Sequence, residues 1–264
     1  MRESPHCFSS VGWSSPLLWL TQGFAVLARA AMPIAAKEGA PMRTANDTFI
    51  EQLVSAAEGA VAHVCDELGV GDRSRVAVGG HSYGAFMTAH LLANSPPALF
   101  RAGLARSGAY NRTLTPFGFQ SEERTFFEAP ELYLRMSPFA AAHKIVAPLL
   151  LVHGDEDENM GTHPMQSDRM YNALKGHGNA PARLVLLPKE SHGYRARESV
   201  MHMLAESHDW LQEHCVAPPP PGWPPVREVG AGEAGAQRKS ARSTIALALA
   251  FGATAVLASR NAKL

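Results

Sequence analysis

The chain has 264 residues, and its 24 basic and 24 acidic side chains leave no formal net charge at neutral pH. That balance supplies no global field for nucleic acid or an anionic membrane, so neither is expected as a charge-selected partner. The length permits one large buried core with residues to spare for tails. Three scattered cysteines, Cys7, Cys65 and Cys215, form no C-x-x-C pair, a pattern of reducing compartments that argues against a disulfide framework or a zinc site.

Residues 1–15 show no clear period and are left unassigned. Residues 17–27 are mainly apolar and run into Ala28-Arg29-Ala30-Ala31. Two readings are open: the core and cleavage site of a targeting peptide, or a buried parallel strand over residues 23–27. A helix begins after Asn46-Asp47, with Asp47 as its expected cap, and Phe49, Leu53, Ala57, Val61, Val64 and Leu68 keep helical spacing up to Gly69 and Gly71. The apolar run Val76-Ala77-Val78-Gly79 then leads into Gly80-His81-Ser82-Tyr83-Gly84 and a helix over residues 83–93, stopped by Pro96-Pro97.

Residues 100–105 predict a short strand. Residues 109–143 have no clean period and predict an insertion over the sheet edge. Residues 148–153 are continuously apolar, as in a strand buried on both faces. A helix over 164–176, a strand over 183–187 and an amphipathic helix over 198–214 follow. Strands alternating with helices of this length predict a mainly parallel α/β sheet with helices on both faces. After Val216 the composition changes to Pro218-Pro219-Pro220-Pro221-Gly222, so residues 217–242 read as a linker. Residues 243–264 read as an apolar helix, with 243–259 long enough to be a candidate membrane anchor.

G-x-S-x-G between a strand and a helix is the context of a nucleophile elbow, which makes Ser82 a candidate nucleophile. The backbone N–H of Tyr83, at the start of the following helix, is a candidate oxyanion donor. A serine hydroxyl needs a base within hydrogen-bond reach and a carboxylate that orients the base. Both should lie on loops after later strands, because crevices in such sheets form at the carboxyl ends of the strands. The loop after the 183–187 strand offers His192, with Gly193 beside it to let the loop turn tightly. The loop after the 148–153 strand offers Asp155, Glu156, Asp157 and Glu158, and spacing does not choose among them.

The segment Gly79-Gly80-His81-Ser82-Tyr83-Gly84-Ala85-Phe86-Met87 resembles the nucleophile region of prolyl-oligopeptidase-family serine peptidases. His153-Gly154 with Asp157 resembles the acid loop of that family, and Ser191-His192-Gly193 its histidine loop. Residues 106–118, Arg-Ser-Gly-Ala-Tyr-Asn-Arg-Thr-Leu-Thr-Pro-Phe-Gly, resemble the chloroplast glutamyl endopeptidase branch. The resemblance implies an α/β-hydrolase fold over residues 16–216, Asp157 as the acid, and hydrolysis of peptide bonds through an acyl-enzyme without cofactor or metal. It also favours the strand reading of residues 24–27 and implies a location in the chloroplast stroma.

Against the family pattern, the chain carries no β-propeller and starts inside the hydrolase domain, so an N-terminally truncated fold is expected. Cleavage after glutamate, also implied by the resemblance, requires a cationic subsite. Arg106, Arg112 and Arg124 are the candidates, because a guanidinium fork matches a carboxylate. An esterase with the same triad and an inactive remnant of a peptidase are the alternatives.

Overall fold

The structure, a computed structural model, describes residues 12–28, 30–223 and, as backbone only, 246–251. Its centre is a six-stranded sheet of β1 (Phe24–Ala28), β2 (Val76–His81), β3 (Ala102–Arg106), β4 (Leu149–Gly154), β5 (Ala182–Leu187) and β6 (Ala246–Phe251). The spatial order is β1-β6-β2-β3-β4-β5, and every neighbouring pair is parallel. Parallel neighbours need crossovers, and helices provide them: α2 (Tyr83–Asn94) joins β2 to β3 and α4 (Met165–His177) joins β4 to β5.

Alternate residues of each strand feed two separate cores, one on each face of the sheet. Val76, Val78, Leu149 and Leu151 pack with Phe49, Leu53 and Val61 of α1 (Phe49–Ala62), Phe86 and Leu91 of α2, and Met170 and Leu174 of α4. Ala77, Leu150, Val152, Val185 and Leu187 face the other way, against Met203, Trp210 and Leu211 of the C-terminal helix, Arg197–Leu211, together with Trp19 and Phe24. All six residues of β4 are buried, as its continuous apolar run predicts.

The elements expected from the sequence occur with boundaries moved by a few residues. α1 runs on as a π-helical turn, His63–Glu67, and the Arg197–Leu211 helix does the same over Gln212–Val216. Residues 109–143, expected as an insertion over the sheet edge, pack instead on the helices of one face of the sheet. They contain α3 (Pro130–Arg135) and a 3-10 stretch, Pro138–Lys144, that packs on α2 and α4, and Tyr110 and Tyr133 are fully enclosed. The C-terminal helix defined above is therefore α5 in chain order. Asp47 does not cap α1, which starts after Thr48 without a side-chain cap, and its carboxylate accepts from Arg124 instead.

The largest departure concerns residues 243–264, expected as an apolar helix. Over Ala246–Phe251 the chain is a strand inside the sheet, bonded to β1 on one side and β2 on the other. The sequence there is Ala-Leu-Ala-Leu-Ala-Phe, a small/large alternation compatible with the two-residue period of a strand. The facing ladders of β1 and β2 satisfy its N–H and C=O groups on both edges, an interaction that no local propensity anticipates. Among the described residues no helix is long and apolar enough to cross a membrane. The linker expected over 217–242 is described only to residue 223, where Arg101 lies 4.5 Å over the Trp223 ring. The remaining calls on residues 1–11, 224–245 and 252–264 concern positions outside the described residues.

Two expectations follow. Among the described strands β1 pairs with β6 alone, so a chain ending at Trp223 should lose hydrogen-exchange protection at residues 24–28 while β4 stays protected; unchanged protection in β1 would contradict the pairing. Burial of His90 against Phe49 and Phe86 pushes its pKa down to about 3. As pH falls below 6.5 the unfolded chain takes up a proton that the folded chain refuses, so stability falls by about 1.4 kcal/mol per pH unit until about pH 3. Urea unfolding at pH 8 and pH 5 should give a stability loss about 2 kcal/mol smaller in His90→Leu than in the wild type.

Candidate active site

β2 ends at His81 and α2 begins at Tyr83, leaving Ser82 alone to reverse the chain. It does so with φ 57° and ψ −115°, a conformation that costs a non-glycine residue about 1–3 kcal/mol. Backbone bonds hold it there: the Ser82 N–H donates to Arg106 O on β3 at 2.8 Å, and Ser82 O accepts from the N–H groups of Ala85 and Phe86 at 3.0 and 3.1 Å. A side chain at Gly80 would place its Cβ 2.5 Å from the Gly84 carbonyl carbon, so the strand and helix can meet only without one. The Tyr83 N–H is among the first donors of α2, positioned beside the serine where the helix dipole favours negative charge.

Ser82, His192 and Asp157 converge although they are more than a hundred residues apart at the extremes. His192 Nε2 lies 2.9 Å from Ser82 Oγ, and His192 Nδ1 lies 2.8 Å from Asp157 Oδ2. A carboxylate oxygen only accepts, so Nδ1 carries the hydrogen and Nε2 presents its lone pair to the Ser82 hydroxyl. Of the four acids in the loop after β4, only Asp157 is buried; Asp155, Glu156 and Glu158 are exposed. Burial alone would raise the Asp157 pKa, but donation from His153, His192 and the Asn159 N–H outweighs it and holds the carboxyl well below its usual range.

The loop carrying His192 is fixed from several sides. The buried Glu190 accepts from the Arg195 and Ala196 N–H groups at 2.8 and 2.7 Å, and the Tyr194 hydroxyl meets Ser107 Oγ at 3.0 Å. The tight turn is made by Lys189 at φ 58°. Gly193, expected to make it, has an ordinary φ and open space where a Cβ would go.

Sequence reasoning missed the groups behind the triad. His81 Nε2 donates to the His192 carbonyl at 2.7 Å, and burial pushes the His81 pKa down to about 4. Trp13 packs edge-on against the His81 ring and lies 4.6 Å from the Tyr194 ring, from a segment whose sequence has no period to reveal it. Thr162 Oγ1 lies 3.2 Å from His192 Nδ1, and His153 adjoins Asp157. For His153 a signal existed, since it stands at the end of β4, four residues before the acid, in the segment that resembles the acid loop of the family.

The three arginines have different fates. Arg124 is engaged by Glu122, at 2.7 and 2.9 Å, and by Asp47 at 2.8 Å, so two carboxylates already neutralise it. Arg106 shares the parity of Ala102 and Leu104 on β3 and points into the α5 layer, its Nη1 3.7 Å from Met203 Sδ and its guanidinium 5.7 Å from the Trp13 ring. Arg112 lies on the other side, its guanidinium 4.2 Å from the Phe86 ring and 4.7 Å from that of Phe119. Its residue is 4 % exposed, its Nε is enclosed without a partner, and it forms no ion pair among the described residues. Burial lowers its pKa to about 10, opposed by Tyr83 and Tyr133, which leaves it cationic at neutral pH.

A strained serine between a parallel strand and a helix, with an acid and a histidine on loops after two later strands, defines an α/β-hydrolase. The prolyl oligopeptidase family model matches residues 50–217, and the chain belongs to that family. It is 59% identical over 216 residues to a protein of Arabidopsis thaliana described as "Probable glutamyl endopeptidase, chloroplastic", and 57% identical over 217 residues to a protein of the same description from Oryza sativa subsp. japonica. Each alignment takes in 82% of this chain and 22% of the relative, so the chain spans less than a quarter of these relatives' length. The crystal structure of a puromycin hydrolase superimposes with a TM-score of 0.53 at 26% identity, over 61% of this chain and 25% of that one.

The two glycines should respond differently to a methyl group. Gly80→Ala forces backbone apart and should lower stability in urea by roughly 1–3 kcal/mol. Gly193→Ala should change it by no more than about 0.5 kcal/mol. Equal effects would contradict the close approach at Gly80.

Proposed function

We propose that this chain is the catalytic part of a serine peptidase, with Ser82 as nucleophile, His192 as general base and acid, and Asp157 as the carboxylate that orients the base. The observation that carries the reading is the continuous contact from Ser82 Oγ through His192 to Asp157, at 2.9 and 2.8 Å. In the acylation step His192 Nε2 takes the hydroxyl proton while Ser82 Oγ bonds to the peptide carbonyl carbon; the Tyr83 N–H meets the oxyanion. His192 then returns the proton to the leaving amine as the C–N bond breaks, and water repeats the sequence on the acyl-enzyme.

We further propose that the acyl side of the scissile bond is a glutamate and that Arg112 receives its carboxylate. The relatives described as glutamyl endopeptidases motivate the substrate. What favours Arg112 over Arg124 is that it forms no ion pair among the described residues and stays cationic; what favours it over Arg106, which forms none there either, is its position over Phe86, one turn into the helix that Ser82 opens. A desolvated cation with no counter-ion makes a carboxylate far more welcome than an uncharged group of the same shape. The description of both relatives as chloroplastic supports a chloroplast location, of which the stroma is the compartment proposed here.

A fluorophosphonate probe should label the folded chain at Ser82 and leave Ser82→Ala unlabelled. Absence of labelling in a folded wild type would overturn the peptidase reading, and turnover of short-chain esters without turnover of peptides would favour an esterase. Among labelled preparations, peptide anilides ending in glutamate should be cleaved with kcat/KM roughly 100-fold above those ending in glutamine, and Arg112→Gln should remove most of that ratio. Equal rates for the two anilides in the wild type would reject the glutamate preference.

A further inference from the structure

His153, the last-but-one residue of β4, is fully buried between the acid loop and α4. Its Nε2 lies 2.6 Å from Thr162 O and 3.0 Å from Asp157 Oδ2, and its Nδ1 lies 2.6 Å from Ser167 Oγ in the first turn of α4. A carbonyl oxygen only accepts, so the contact with Thr162 requires a hydrogen on Nε2 and fixes which edge of the ring faces Asp157. Asp157 Oδ2 therefore sits between two imidazoles, His153 behind it and His192 in front. Oδ1 is taken by the Asn159 N–H at 3.0 Å and Thr162 Oγ1 at 3.4 Å.

We propose that His153 is a positioning residue for catalysis: a second histidine that holds the Asp157 carboxylate in the plane from which it orients His192. The inference rests on the triad reading of Ser82, His192 and Asp157. With the Asn159 N–H on Oδ1 and His192 alone on Oδ2, rotation about the last torsion is opposed by few bonds, and such rotation would carry Oδ2 away from His192 Nδ1. The single His153 Nε2 hydrogen, shared between Thr162 O and Asp157 Oδ2, adds a restraint on the opposite side of Oδ2, and the ring cannot itself turn while Ser167 and Thr162 hold both nitrogens. It is also the first of the donors that keep Asp157 ionised against its burial. The arrangement follows the logic by which groups behind a reactive side chain fix its orientation.

The test compares two polar replacements. In His153→Gln the amide nitrogen occupies the place of Nε2 and can still donate to Asp157. In His153→Asn the amide stops at the level of Nδ1, so it can pair with Ser167 but not reach Asp157. Three quantities are read on the full chain: the rate constant and the binding constant for fluorophosphonate labelling of Ser82, and the downfield proton resonance of the His192 Nδ1–H. His153→Asn should label roughly 10- to 100-fold more slowly at unchanged probe binding and lose or shift the resonance. His153→Gln should stay close to the wild type in both.

Wild-type labelling and an unchanged resonance in His153→Asn would overturn the proposal, as would equal losses in both variants that track a fall in melting temperature. If the wild type itself is not labelled, the triad reading fails, and the resonance decides the role of His153 alone: lost only in the Asn variant, the role stands, and retained in both, it falls. Should His153→Asn not fold, Ser167→Ala loosens the ring from its Nδ1 side, where a broadened His192 resonance supports the proposal and an unaltered one rejects it.

Discussion

Strand β2 and helix α2 approach so closely at Gly80 and Gly84 that the chain has one residue, Ser82, in which to reverse direction. The reversal forces Ser82 to a positive φ, and that cost is offset by its own backbone bonds to Arg106, Ala85 and Phe86. Much else depends on this approach. It starts α2 directly at the serine, so the helix's free N–H groups and positive end face the place where an oxyanion would form. Because β2, β4 and β5 run parallel, it also puts Ser82 on the same edge of the sheet as the loops bearing Asp157 and His192.

Electrostatically, the site separates charges that are answered from those that are not. Asp157 is buried yet ionised, because donors surround both of its oxygens. Arg124 is charged and answered twice, by Glu122 and Asp47. Arg112 and Arg106 have no carboxylate partner among the described residues; Arg112 is stacked on the rings of Phe86 and Phe119, on the side of the sheet that carries α2. Aromatic faces compensate part of a guanidinium's lost hydration but cannot cancel its charge, so attraction for an anion remains.

Local pattern made the alternating strands and helices legible, because apolar spacing records which face each element buries. The elbow was legible for the same reason, being a short motif whose strand and helix lie beside it in the chain. His192 followed from topology, since loops after parallel strands share an edge. Asp157 was not separable from its three acidic neighbours by spacing. What distinguishes it is burial among donors from His153, His192 and Asn159, a tertiary property that only the resemblance anticipated. The same holds for the arginines: Arg106 and Arg112 differ by which face of the sheet they join, and Arg124 by carboxylates that reach it from far along the chain. Residues 246–251 went wrong for a deeper reason, because a six-residue apolar run does not say whether a sheet elsewhere has room for it.

That strand carries a consequence for how the molecule comes into being. Among the described strands β1 pairs with β6 alone, more than two hundred residues later. During synthesis at about 5–20 residues per second, β2 to β5 with their helices can assemble while β1 still waits for its neighbour. Contacts of such long sequence separation close slowly, since a large loop must be ordered before they form. Ser82, His192 and Asp157 would thus come together within one folding unit, while β2 receives its other described neighbour from a strand later in the chain.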